Sequence, residues 1–430
     1  MSFKHLYGEV MTPESIINTL INQLPIWDSP NIHLTTWLDP CVGKGQFTLV
    51  IYHKLMDVLK HTFPNVQQRS HHILTKMLYM IEINSAHKSH LYDLFPYQKN
   101  ISIQDFLQPL PNHFPKHFDI IIGNPPYQVN GMKPVPTQRI KTTTTKPKTM
   151  WTQFVRRSFE LLQSKGYMSM IIPAIWLKPD KANIYSLLTS HNILHIHTLT
   201  NQQTNKLFKG QAQTPTTMIT VQNAPHTQQP IMSHGLPVKE RKTFKILLNK
   251  PIPLCYFSLV DFIISWMKQQ QIPSLFNYVY KTNPVPKEYL SKEPTKYINI
   301  HTCVFKNKAP YLVKSYSIRP LQFQGVPKII MAHKMYGCPY LDKQGTFGIS
   351  SRDNYIIRST NTILLLWLEQ PIITKLIDTT RYRMSYFEKY CFHWIPYITT
   401  KQHFYTFYKD LQNSKIERLS EKYIQPSIVI

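Results

Sequence analysis

The chain has 430 residues, with 49 Lys+Arg against 23 Asp+Glu and a formal charge of +26. At about 50–250 residues per domain the length predicts two or three domains, and a hydrophobic share of 42% excludes wholesale disorder. The longest apolar stretches, such as 167–177, break well short of the roughly 20 residues a membrane span needs.

The N-terminus carries no basic-then-apolar signal pattern. Five scattered cysteines (Cys41, Cys255, Cys303, Cys338 and Cys391) form no CxxC pair. A disulfide framework and a structural zinc site are therefore not expected, and a reducing, cytoplasmic compartment is. The charge is unevenly placed. Residues 1–127 hold 9 basic and 9 acidic side chains, 128–225 hold 12 and 2, and 226–430 hold 28 and 12. A neutral first segment before a basic remainder predicts a small-ligand module followed by a polyanion-binding surface.

In chain order, apolar runs predict strands over 34–38, 78–83, 101–103, 119–122, 168–172, 193–199 and 216–221. Helical periodicity covers 14–24, 46–62, 84–94, 150–163 and 182–191. Strands alternating with helices predict an α/β fold with a parallel sheet covered on both faces. Ligands bind such sheets at the carboxyl ends of the strands. Residues 128–149 have five basic side chains and no acid, with several Pro and Thr, and read as a long loop. Residues 223–240 read as a linker. Beyond it, Pro-punctuated strands run to about 358 and a helical pattern follows near 360–379, giving a mixed α+β second domain. The predicted domains are 1–225 and 226–430.

The first polar motif after a strand is 39–47, DPCVGKGQF. Gly43 and Gly45 permit a tight turn and close approach of a ligand to backbone. Asp39, ending the strand, suits an ammonium group better than a phosphate. Glu82 ends the second strand, where a carboxylate accepts both hydroxyls of a ribose. Asp105 follows the third, where a carboxylate accepts from an adenine amino group. Each acid alone is more often a helix cap; with the glycine turn they make an adenosine-shaped set. The strongest signal is 119–127, DIIIGNPPY. Two prolines fix the backbone and remove two donors. The Asn124 amide oxygen and the Pro125 carbonyl can then accept from one planar amino group, while Pro126 holds the turn and Tyr127 offers a ring face to a flat base.

These motifs resemble the S-adenosylmethionine-dependent adenine-N6 DNA methyltransferases, in the order of the gamma class of restriction-modification methylases. The resemblance is clear over 5–225 and weak beyond. Residues 8–13, GEVMTP, are similar to the family's GEVFTP element, with Met11 for the usual Phe and with Thr12 beside the methionine part of the cofactor. Asp39, Pro40, Gly43, Gly45 and Phe47 match the DPxxGxGxF loop, Glu82 the ribose acid, Asp105 and Phe106 the adenine contact, and Asn124–Tyr127 the catalytic NPPY. Met150, Trp151, Gly166, Tyr167, Ile172 and Pro173 match later motifs. In the second domain 327–351 is similar to a strand-turn element of target-recognition domains, and 372–377 with 394–396 are faintly similar to their ends.

The resemblance implies a Rossmann-like catalytic domain and a DNA target-recognition domain. It further implies S-adenosylmethionine as cofactor and double-stranded DNA as substrate, with the target adenine flipped out of the helix. Tyr127 would stack on one face of that base and Phe208 on the other, although Phe208 reads equally well as a core residue. Asn124 rather than Ser favours adenine over cytosine. No metal and no membrane are implied. The chain is expected to act as a monomer, alone or beside a separate restriction endonuclease, with no nuclease domain upstream of the cofactor motif. A nuclear or viral-factory site applies if the source is a eukaryotic virus. The rival readings are a methyltransferase of RNA or of protein glutamine, and a catalytically silent DNA-binding protein.

Overall fold

A computed structural model of the chain describes residues 10–129, 148–212, 214–306, 309–333, 339–383, 388–414 and 416. Gly8 and Glu9 of the GEVMTP element, most of the 128–149 loop, and 334–338 of the strand-turn element lie outside the described residues. The chain divides into two compact units, Met1–Leu248 and Asn249–Ile430.

The first unit is built on strands β1 (Trp37–Asp39), β2 (Leu78–Glu82), β3 (Ile101–Ile103) and β4 (Phe118–Gly123). A two-residue ribbon, β5 (Gln128–Val129) against β6 (Lys148–Thr149), leaves the site before β7 (Leu162–Pro173), β8 (His191–Leu199), β9 (Thr216–Pro225), β10 (Ile231–His234) and β11 (Glu240–Thr243). Apart from the ribbon they form one nine-stranded sheet, ordered β11-β10-β8-β9-β7-β4-β1-β2-β3. All five residues of β2 and all three of β1 are buried. The near-continuous apolar runs follow from that, since a sheet covered on both faces has no solvent side to alternate toward.

The helices of this unit are α1 (Glu14–Asn22), α2 (Gln46–Val58), α3 (Val66–His72), α4 (Lys88–Leu94), α5 (Trp151–Leu161), α6 (Ile184–Thr189) and α7 (Asn201–Leu207). Helix α1 buries Ile16, Ile17, Leu20 and Ile21, and α2 buries Phe47, Ile51 and Leu55. They join Leu74, Met80, Ile120 and Ile122 in one core. Each such aliphatic side chain contributes about 1.5–3 kcal/mol on full burial, which sets β1 and β4 rigidly beside each other.

The structure corrects the sequence reading in three places. The sheet is parallel-rich rather than parallel: β9 runs antiparallel to both β7 and β8, and β11 to β10. Antiparallel neighbours need no long crossover, so residues 200–215, with the short α7, suffice between β8 and β9. The predicted linker at 223–240 instead completes β9 and adds β10 and most of the turn to β11. Pairing of Ile231–His234 with His195–Thr198 buries Met232 and extends the sheet. The division between units consequently falls after Leu248 rather than 225. The polar helix α3 was hidden by its composition; it is opened by Asn65, whose side chain accepts from the Gln68 N–H.

The second unit is mixed α+β. Strands β12 (Val279–Lys281), β13 (Leu290–Ser291), β14 (Tyr297–Lys306), β15 (Ala309–Ser317), β16 (Lys328–Ala332), β17 (Pro339–Asp342), β18 (Gly348–Ile349) and β19 (Asn354–Ile357) form two four-stranded sheets. Their orders are β12-β19-β16-β17 and β13-β15-β14-β18. Ile330 and Ile356 of the first sheet share a core with Ile300 and Ile349 of the second. Helices α8 (Phe257–Gln269), α9 (Thr362–Leu368), α10 (Pro371–Asp378) and α11 (Lys401–Asn413) complete the unit. Its interior holds a full ion pair. Lys328 Nζ, fully buried, lies 2.7 Å from Asp342 Oδ2 and donates to the carbonyls of Phe323 (3.1 Å), Val326 (3.0 Å) and Phe347 (2.6 Å). Among the described residues no helix is long and apolar enough to cross a membrane.

Candidate functional site

The carboxyl ends of β1, β2, β3 and β4 open onto one pocket. Its lining includes Thr12, Pro40, Gly43, Phe47, Glu82, Asp105, Phe106, Asn124 and Pro126. Nine of the residues singled out from the sequence are thus brought together, from segments as distant as Thr12 and Asn124. The glycine turn is closed by Gly45 N–H donating to the Val42 carbonyl at 2.8 Å, and helix α2 starts immediately after. Gly43 and Gly45 have φ of +55° and +86°. A Cβ on Gly45 would fall 2.8 Å from Leu94 Cδ2, the end of a side chain that can shift, so it is the left-handed backbone that calls for glycine here.

Glu82 is 6% exposed and holds the turn from below. One carboxylate oxygen accepts from the Gly43 N–H and the other from the Asn84 N–H, both at 2.7 Å. Asp105 Oδ1 accepts from the Leu107 N–H at 2.9 Å, shaping the turn after β3. Behind it, Phe106 is buried with its ring 5.0 Å from that of Phe154. At the end of β4 the Asn124 Nδ2 donates to Thr12 Oγ1 at 3.1 Å. That bond takes one of the two amide protons and fixes the orientation of the amide, whose oxygen accepts no bond among the described residues.

Asp39 takes a different place from the one expected. It is buried at 3% exposure beneath the pocket floor rather than lining it, accepting from the Cys41 N–H at 3.2 Å and from Thr48 Oγ1 at 3.4 Å. Burial, with the Glu82 charge nearby as a smaller contribution, pushes its carboxyl up to about 7. The strand ends with its last side chain in the core because all of β1 is buried. The same burial and the two carboxylates push the Cys41 thiol well up, so it stays protonated.

Pro125 is buried and Tyr127 is half-buried; neither is among the pocket's lining residues. Burial raises the Tyr127 hydroxyl. Phe208 is 3% exposed and packs in the main core with Leu199 and Met218, so its core reading is the one the geometry supports. Conversely, Ile83, Asn84 and Gln104 line the pocket without having been singled out, and Lys44 and Phe154 stand within the matched motifs with no role assigned to them. Ile83 was findable: an isoleucine directly after a strand-end acid is half exposed, an apolar lip beside the carboxylate. Lys44 is the only cation among the described lining residues.

This donor set fits S-adenosylmethionine. Glu82 and Asp105 supply acceptors at two strand ends, Ile83 and Phe106 supply apolar walls for a flat base, and the buried Nδ2 of Asn84 has no hydrogen-bond partner among the described residues. Among the described residues no three His, Cys, Asp or Glu side chains gather as a metal set.

Comparison with known proteins agrees with this geometry. No curated protein matches the sequence. The DNA complex of the type IIL restriction-modification enzyme MmeI matches 98% of this chain and 74% of its own at 13% identity, with a TM-score of 0.52, which shows a shared fold. A Listeria monocytogenes protein described as a class I S-adenosylmethionine-dependent methyltransferase matches 54% of this chain and 67% of its own, at 16% identity and a TM-score of 0.37. A type I modification subunit from Vibrio vulnificus matches 64% and 57%, at 15% identity and 0.39. The chain spans about half the length of the type I modification subunits it matches. Residues 45–208, which carry Glu82, Asp105 and Asn124 as well as the helix opening over the pocket, match the model of the Eco57I restriction-modification methylase family.

Proposed function

We propose that the chain is a site-specific DNA methyltransferase that transfers a methyl group from S-adenosylmethionine to the N6 amine of an adenine flipped out of duplex DNA. The observation that carries this reading is the Asn124–Thr12 bond. With one Nδ2 proton engaged at 3.1 Å, the Asn124 amide is fixed in orientation and its oxygen accepts no hydrogen bond among the described residues, which suits an incoming amine. The Pro125 carbonyl is the second acceptor. Pulled by both, the amine loses conjugation with its ring and its lone pair turns toward the methyl group. Thr12 acts as a positioning residue for this amide. Glu82 and Asp105 hold the ribose and adenine ends of the cofactor, which supplies the electrophilic methyl. Pro126 holds the turn and Tyr127 stacks on the extruded base. The second unit, with 24 basic and 11 acidic residues over 249–430, contacts the duplex and recognises its sequence. The enzyme works as a monomer, alone or as the modification partner of a separate restriction endonuclease.

The test is transfer of a radiolabelled methyl group to duplex DNA, to RNA and to protein, with the modified base identified by chromatography. N6-methyladenine in duplex DNA is expected. Transfer to RNA or to protein glutamine alone overturns the reading, as does a wild type that binds duplex DNA but transfers nothing.

A further inference from the structure

We propose that Arg358 reads the major-groove edge of a guanine in the bound duplex; this rests on the DNA-binding reading of the second unit. Arg358 follows directly on β19 and is exposed. Its guanidinium carbon lies 4.7 Å from the ring centroid of Tyr280 on the edge strand β12 and 5.6 Å from that of Phe323. The two rings are 6.3 Å apart and inclined at 59°, so they hold the guanidinium from two directions. Its hydrogen-bonding edge is unspent: Arg358 has no hydrogen bond and no carboxylate partner among the described residues. Arg381 and Arg383, by contrast, are engaged with Asp378 and Glu388.

The platform itself is anchored. Phe323 has a φ of +62°, a strained value for a bulky residue. Its carbonyl is held at 3.1 Å by the buried Lys328, which the Asp342 carboxylate fixes in turn. Tyr280 is fixed by antiparallel pairing with Ile356, two residues before Arg358. A guanidinium held between two rings before binding loses little rotamer freedom on forming two parallel hydrogen bonds. Guanine O6 and N7 offer that pair of acceptors in the major groove. A phosphate can take a guanidinium fork too, but it can be bound by charge alone, and the unit's many exposed lysines already supply that charge.

The test compares full-length wild type, Arg358→Ala and Arg358→Lys by selection from a randomised duplex library, with methyl transfer measured in parallel. Wild type is expected to enrich G·C at one position of its site. Arg358→Ala should reduce that preference about tenfold to a hundredfold at that position and leave the other positions as they were. Arg358→Lys keeps the charge, so it should keep overall affinity and salt dependence while losing much of the preference. Equal weakening on all sequences with a shallower salt dependence would mean a phosphate contact and overturn the proposal. An unchanged site preference overturns it too, as does a wild type with no duplex selectivity. A wild type that selects sequence without methylating it refutes the catalytic reading and leaves this inference to be decided by the selection alone. Unchanged melting of the variants excludes misfolding as the cause.

Discussion

Asp39→Asn turns the buried acid beneath the pocket into a measurement. In the folded protein its carboxyl titrates at about 7, above its ordinary 3.8. Between about pH 4 and pH 7 the native state therefore holds a proton that the unfolded chain has released. Stability must fall as pH rises through that window and become level above it. Asparagine keeps the shape of the protonated acid and does not titrate: its oxygen can accept from the Cys41 N–H and its amide can face Thr48 Oγ1. Each pH unit of differential titration is worth about 1.4 kcal/mol. From pH 5 to pH 8 the gap between variant and wild type should therefore widen by about 3 kcal/mol in favour of the variant. At roughly 2–4 °C per kcal/mol for a domain of this size, the melting temperatures should diverge by about 6–12 °C. Calorimetry of both proteins without cofactor, at matched ionic strength over pH 5–8, makes the comparison. Parallel pH profiles would refute the argument, because they would mean that Asp39 is ionised across the whole range.

The other outcomes test the pocket and the second unit. Asn124→Ala should reduce methyl transfer by at least a thousandfold while S-adenosylmethionine affinity, read by calorimetry, stays within about threefold; retained turnover would contradict the acceptor role. Asp105→Ala should weaken cofactor binding about tenfold to a hundredfold, the loss of one charge-assisted hydrogen bond, and equal affinity would remove Asp105 from the site. Lys328→Met leaves Asp342 buried without its cation and should cost about 3–5 kcal/mol of stability, seen as a lower melting transition. A change under 1 kcal/mol would show that the interior relaxes around the lone carboxylate.

What could be read from the sequence followed from burial. Leu78–Glu82 and Phe118–Gly123 are mostly apolar because both faces of the sheet are covered, and a run that short favours a strand over a helix. Most pocket residues were legible because they stand at or soon after the end of such a strand; Thr12, ahead of the first strand, was legible only through the GEVMTP resemblance. Strand direction was not legible: nothing in the composition of Thr216–Pro225 records that it runs against its neighbours. Nor was the fate of short, proline-flanked Ile231–His234, whose place is decided by pairing with a strand some 36 residues earlier. Asp39 shows the same limit at the site. Its position at the end of the strand that leads into the glycine turn was visible, but its side chain points into the core because β1 is buried throughout, and that is a property of neighbours. The Thr12–Asn124 bond joins positions 112 residues apart and could not be inferred from spacing.

The ribbon of Gln128–Val129 against Lys148–Thr149 has a bearing on how such proteins diversify. Its register, together with the Met150 N–H donating to the Tyr127 carbonyl at 3.2 Å, fixes the two ends of the intervening segment next to each other. Once the ends are fixed, the length between them is nearly neutral to the catalytic turn. Doubling the 18 residues of 130–147 would raise the closure cost by only about 0.6 kcal/mol. Insertion, deletion or replacement there can therefore be sampled by mutation without dismantling Asn124–Tyr127. For the experimenter the same position is a natural port for a reporter peptide or a cross-linking tag next to the pocket.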